Sequence, residues 1–187
     1  MSRRPLRPLH RAARFFSSLR PGAPAPRDVE WARRCLTDAE RRWFDRMSNP
    51  DQRHAVRVAR ATEHGLDEVR VDGRSLTDDE RRATLAAALL HDVGKTQAGL
   101  RTYGRVVATL SGAVGGAAFA EAWQDTTGFT RKVGLYLRYP TIGSEMLAVA
   151  ESHPWVVGWA AEHHLPPEEW SLPVEVGRLL AAADDEA

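Results

Sequence analysis

The chain has 187 residues, a formal charge of +1 and a single cysteine, so it has length for one domain with a sizeable core, and Cys35 has no partner for an internal disulfide or a thiolate zinc site. The near-neutral total hides an asymmetry: residues 1 to 27 carry seven arginines and no acid, which leaves residues 28 to 187 at −6. An acidic body lacks the basic face that meets long nucleic acid, and a free thiol fits a reducing, cytoplasmic compartment.

Residues 1 to 27 read as an Arg- and Pro-rich tail, ending in Pro21-Gly22-Ala23-Pro24-Ala25-Pro26, which suits an extended linker. Solvated disorder is the expected state of this flexible N-terminal tail. Leu9 to Leu19, with Phe15 and Phe16, leaves open a weak membrane or protein contact, or a transit peptide. No apolar region of the secretory type is present.

The body, residues 28 to 187, has few strand signals and recurring helical periodicity, which predicts an all-α domain with helices at about 28–48, 51–65, 77–92, 104–123, 140–151, 154–165 and 173–184. Thr77 or Asp78 can cap the third helix, and Pro140, Pro154 and Pro173 sit at starts where a missing N–H costs nothing. Pro166-Pro167 stops the sixth. The Ala- and Gly-rich stretch from Val106 to Ala120 is shorter than the roughly 18 to 20 apolar residues that cross a bilayer, and reads as a buried helix.

The chemistry concentrates at Leu85 to Lys95, an apolar helix that ends in His91-Asp92-Val93-Gly94-Lys95. A carboxylate at a helix C-terminus faces the negative end of the dipole, a penalty of a few tenths to about 1 kcal/mol unless a cation offsets it. A divalent metal held by His91 and Asp92 would do so, while Gly94 is expected to end the helix in a left-handed conformation. Two ligands do not close a site. His54 lies on a helix with an Ala55, Val58 and Ala59 face; Asp184 follows the stripe Val176, Leu179, Leu180 and Ala183; His163 and His164 end a third helix. Taken singly, His54 reads first as a hydrogen-bonded structural residue and Asp184 as part of a solvated acidic end, while the paired histidines read equally as helix-end charge compensation. Only together do they make a ligand set.

The string His91-Asp92-x-Gly94-Lys95 after an apolar helix, with His54 upstream and Asp184 downstream, resembles the HD superfamily over about residues 50 to 185. The resemblance implies a helical bundle of six or seven helices, a divalent ion (Mn, Fe, Co, Ni, Zn or Mg) on His54, His91, Asp92 and Asp184, and hydrolysis of a nucleotide or other small phosphate ester. Tyr139 to Leu147 and the pair His163-His164 look like the branch that holds a second metal. That branch has histidine where Tyr139 stands, glutamate where Pro50 stands, and a G-Y-P signature absent after His164. The implied arrangement is one tightly held metal with the second site weakened or lost.

Within that frame Asp92 and Lys95 are the expected catalytic groups, and Lys95, Arg53 and Arg57 the substrate contacts. Lys95 is one of only two lysines, beside Lys132, and serves as a point charge for a phosphate oxygen. The competing reading is a catalytically weak domain that senses a nucleotide or metal, or docks a protein. A purely structural adaptor would hold no metal.

Overall fold

A computed structural model describes residues 22–98 and 137–187 of the protein. The helix expected at 104–123 and the basic stretch from Leu9 to Leu19 lie outside the described residues. The rest is a predominantly helical bundle.

Helix α1, Pro26–Arg34, starts two residues earlier than expected, with its proline in the first turn, where no N–H is needed. The single helix expected at 28–48 is in fact two. Thr37 is extended (φ −66°, ψ 167°), and its hydroxyl and Glu40 form a reciprocal capping box that starts α2, Asp38–Phe44. Thr37 N–H donates to Glu40 Oε2 at 2.8 Å and Glu40 N–H donates to Thr37 Oγ1 at 3.3 Å, so two otherwise orphaned donors are satisfied. Ser48 caps α3, Asn49–Gly65, by a single bond in which its hydroxyl oxygen accepts from the Asp51 N–H.

Between α3 and α4 lies a two-residue hairpin that the sparse strand signals did not suggest. Strands β1, Arg70–Val71, and β2, Arg74–Ser75, pair antiparallel across Asp72 (φ 51°) and Gly73 (φ 76°). Two successive positive φ values define the turn that matches strand twist, and Asp-Gly is the dipeptide that tolerates it. The hairpin's neighbours Val69, Val71 and Leu76 are buried, so it closes one end of the core.

Helix α4, Asp78–Leu90, begins at a second capping box, Thr77 with Glu80. It is the central element, packed against α2, α3, the later helix α7, Pro154–Glu162, and the last, α8, Val174–Glu186. Ala83, Ala86, Ala87, Ala88, Leu89 and Leu90 are all buried, as expected for a helix enclosed on most sides. Around it lie the largest fully buried side chains, including Trp159, Phe44, Leu147 and Leu180, each worth roughly 1.5–3 kcal/mol on removal from water. Helix α7 ends at Glu162, ahead of Pro166-Pro167, and α8 runs to Glu186.

The chain does not stop at Gly94 in a left-handed conformation: the positive-φ glycines among the described residues are Gly22 and Gly73. It continues from α4 through the turn 91–94 into the short helix α5, Lys95–Ala98, with the Lys95 N–H donating to the Asp92 carbonyl at 3.0 Å. Gly94 is needed for closeness. A Cβ there would lie 2.0 Å from the Tyr139 carbonyl oxygen and 2.7 Å from the Gly143 nitrogen, both backbone atoms of α6, Tyr139–Val149. The contact seats the start of α6, and with it Tyr139, against the turn that carries Asp92 and Lys95.

Candidate metal centre

Helices α3 and α8 both pack on α4, and that arrangement brings three separated residues together. His54 comes from the middle of α3, His91 caps the C-terminus of α4, and Asp184 lies in the last turn of α8. One donor atom from each lies within 4.8 Å of the others. His54 Nε2 is 2.9 Å from Asp184 Oδ1, and His91 Nε2 is 3.8 Å from the same oxygen. Donors sharing one ion at about 2.1 Å stand roughly 3.0–3.4 Å apart, so small side-chain adjustments suffice.

The protonation pattern suits a ligand set. His91 Nδ1 is 2.9 Å from the Ala88 carbonyl oxygen, which only accepts, so this nitrogen carries a proton and Nε2 is the nitrogen that faces the carboxylates. His91 is also the most enclosed of the three, its side chain 2% exposed against 23% for His54 and 35% for Asp184. Burial would raise the Asp184 carboxyl, but the hydrogen bond from His54 and the nearby His91 outweigh it and hold the group below the usual carboxylate range. Two imidazoles and an ionised carboxylate are a donor set that fits a divalent transition metal.

Asp92 stands beside this cluster and is almost fully buried. Its Oδ2 is 3.6 Å from His91 Nε2, and its Oδ1 is 4.0 Å from His163 Nε2. Burial pushes its carboxyl up, yet Lys95, His91, His54 and His163 together bring it well below its ordinary value. The closest of these is Lys95, whose ammonium donates to Asp92 Oδ2 and lies 4.6 Å from the centre of the Tyr139 ring. The charge that offsets the misplaced carboxylate in this structure is therefore supplied from within the chain.

His163 and His164 lie one layer out. His163 packs its ring 5.2 Å from that of His91, while its Nδ1 donates toward the Trp159 and Ala160 carbonyls at 3.1 and 3.2 Å. Its Nε2 is then an acceptor, and the Tyr139 hydroxyl, 3.1 Å away, donates to it. The same hydroxyl oxygen is 2.5 Å from His164 Nε2, which completes the arrangement by donating to it. Burial first, then the neighbouring His91 and His164, push the His163 imidazole down to about 3. Burial likewise lowers His164.

Tyr139 was legible in the sequence only as a departure from a histidine pattern; its role as the shared partner of both imidazoles was not. Of the remaining expected contacts, Arg53 is half-buried and donates to the Gly22 carbonyl, and Arg57 is exposed one turn along α3 from His54.

No protein-family model matches this chain, and neither a curated protein nor a solved structure matches it. No helix among the described residues is long and apolar enough to cross a membrane.

Proposed function

We propose that this chain is a metal-dependent phosphohydrolase of the HD superfamily, acting on a nucleotide or another small phosphate ester. The observation that carries the reading is the convergence of His54, His91 and Asp184 from three helices, with His91 Nε2 facing the carboxylates. His54, His91 and Asp184 would hold the ion, with Asp92 as the adjoining carboxylate. A divalent ion there supplies Lewis acidity toward water and toward a phosphoryl oxygen.

The chain's own groups divide the remaining work. Ala88, through its carbonyl, keeps His91 in the tautomer that can ligate. Asp92, ionised and buried, is placed to accept a proton or a hydrogen bond from an attacking water. Lys95 is the cation nearest that carboxylate and suits a phosphate oxygen as a point charge. Tyr139, His163 and His164 are bonded to one another and would hold the flank of the site in a fixed arrangement. Arg53 and Arg57 on α3 are the proposed outer contacts to the substrate.

One feature supports a second reading, a metal- or nucleotide-binding regulatory module with little turnover. Tyr139 engages both paired histidines, which leaves a single clear ligand cluster among the described residues.

The test is elemental analysis of the purified protein and of a His91→Ala, Asp92→Ala variant shown by circular dichroism to be folded. Near-stoichiometric metal in the parent, lost in the variant, with hydrolysis of a phosphate ester by the loaded parent, is the expected result. Metal without hydrolysis across nucleotides and small monoesters would leave the regulatory reading. A folded parent that takes up no Mn, Fe, Co, Ni or Zn would overturn the hydrolase and the metal-binding form of the module.

A further inference from the structure

We infer that Lys95 acts as an internal stand-in for the metal, holding Asp92 while the site is empty and released toward an anionic ligand when a divalent ion binds. The inference rests on the metal-site reading above and adds a coupling between the ion and a phosphate group.

Lys95 holds one particular oxygen of Asp92. Asp92 has two, and Oδ1 faces His163 while Oδ2 lies 3.6 Å from His91 Nε2, on the side of the ligand cluster. The Lys95 ammonium occupies Oδ2. An ion coordinated by His91 and Asp92 would need that same oxygen, and two cations cannot crowd one carboxylate oxygen in a buried site without strong mutual repulsion. Lys95 is held on α5, three residues after Asp92, with the Tyr139 ring beneath its ammonium. That aromatic face gives the released ammonium a place to remain, on the ring whose hydroxyl bonds His164. Loading the site therefore adds the ion's charge and frees a second one, and affinity for a phosphate rises with both. By reciprocity, phosphate tightens the hold on the ion.

The chain's two lysines, Lys95 and Lys132, make the exchange measurable without any assay of turnover. The full-length protein is acetylated with a limiting lysine reagent and the two sites are quantified by peptide mass spectrometry, without metal, with Mn or Zn, and with the same metal plus inorganic phosphate. Loading is measured on the same samples by elemental analysis. The expected result is a severalfold rise in Lys95 labelling on loading, reversed by phosphate, and in excess of any change at Lys132. A folded Asp92→Asn variant should show the raised Lys95 labelling without metal, because its carboxamide no longer pairs with the ammonium. Loaded protein whose Lys95 labelling does not rise would overturn the exchange and leave the metal site standing. Protein that does not load overturns both. A folded Asp92→Asn variant with unchanged Lys95 labelling would show that the pair does not restrain the ammonium, and would also overturn the proposal.

Discussion

Gly94 and Tyr139 meet backbone to backbone: any side chain on Gly94 would begin 2.0 Å from the Tyr139 carbonyl oxygen. Both partners are main chain, so neither can rotate away. Gly94→Ala is expected to destabilise the protein by about 3 kcal/mol, the upper part of the range for overpacked sites, and to lower metal affinity because α6 is displaced from the turn carrying Asp92. Urea unfolding and a metal titration of the same variant check both effects; an unchanged midpoint would show that α6 yields freely.

Tyr139→Phe keeps the ring beneath Lys95 and removes the hydroxyl shared by His163 and His164. The buried His163 Nε2 then loses its donor. The expected cost is about 1–3 kcal/mol, with a change in the His163 ring nitrogen shifts by NMR. Wild-type shifts and stability in the variant would mean that the three groups are neighbours without an energetic link.

The metal-free protein should lose stability on mild acidification. His163 titrates near 6.5 when unfolded but is held at about 3 in the fold by burial and by the adjacent imidazoles, so between those values only the unfolded chain takes up the proton. This stabilising contribution is complete above pH 6.5 and declines as the pH falls toward 3. From this group alone the loss between pH 6.5 and 5 is about 2 kcal/mol. Asp92 and Asp184, held below the usual carboxylate range, act in the same direction at lower pH. Urea midpoints at pH 7 and pH 5 test this, and a His163→Phe variant that stays folded should show a shallower dependence.

Thr37→Ala is expected to cost about 1 kcal/mol, the usual consequence of losing a helix N-cap, and to leave metal binding intact. Chemical denaturation gives the first quantity and calorimetric titration with Mn or Zn the second. A large loss of metal affinity would mean that the α1–α2 break positions the site, contrary to its distance along the fold from α4's C-terminus.

How much could be read beforehand differs from residue to residue. His91 and Asp92 stood out because a carboxylate at a helix end conflicts with the local dipole, which is a local signal. Asp184 shared that signal more weakly, since an acidic chain end explains it as well, and His54 carried none beyond an apolar face suited to packing beside the pair. The break at Thr37 escaped because apolar periodicity runs on through Cys35 and Leu36 into α2, although the Thr37-x-x-Glu40 box was in view. The hairpin escaped because two-residue strands have no period to detect; its signal was the Asp72-Gly73 dipeptide. Gly94 was misassigned because its partner, Tyr139, is distant in sequence, and helix-stop glycine is the commoner local explanation. Tyr139's two imidazole partners were out of reach for the same reason.

Because the three ligand positions belong to α3, α4 and α8, an ion bound there would act as a clasp across the bundle. Such a clasp would exist only in the folded chain, so metal availability would set the protein's resistance to heat and proteases. At a free metal concentration 100 times the dissociation constant the folded state gains about 2.7 kcal/mol, enough to make the thermal midpoint itself a gauge of metal supply.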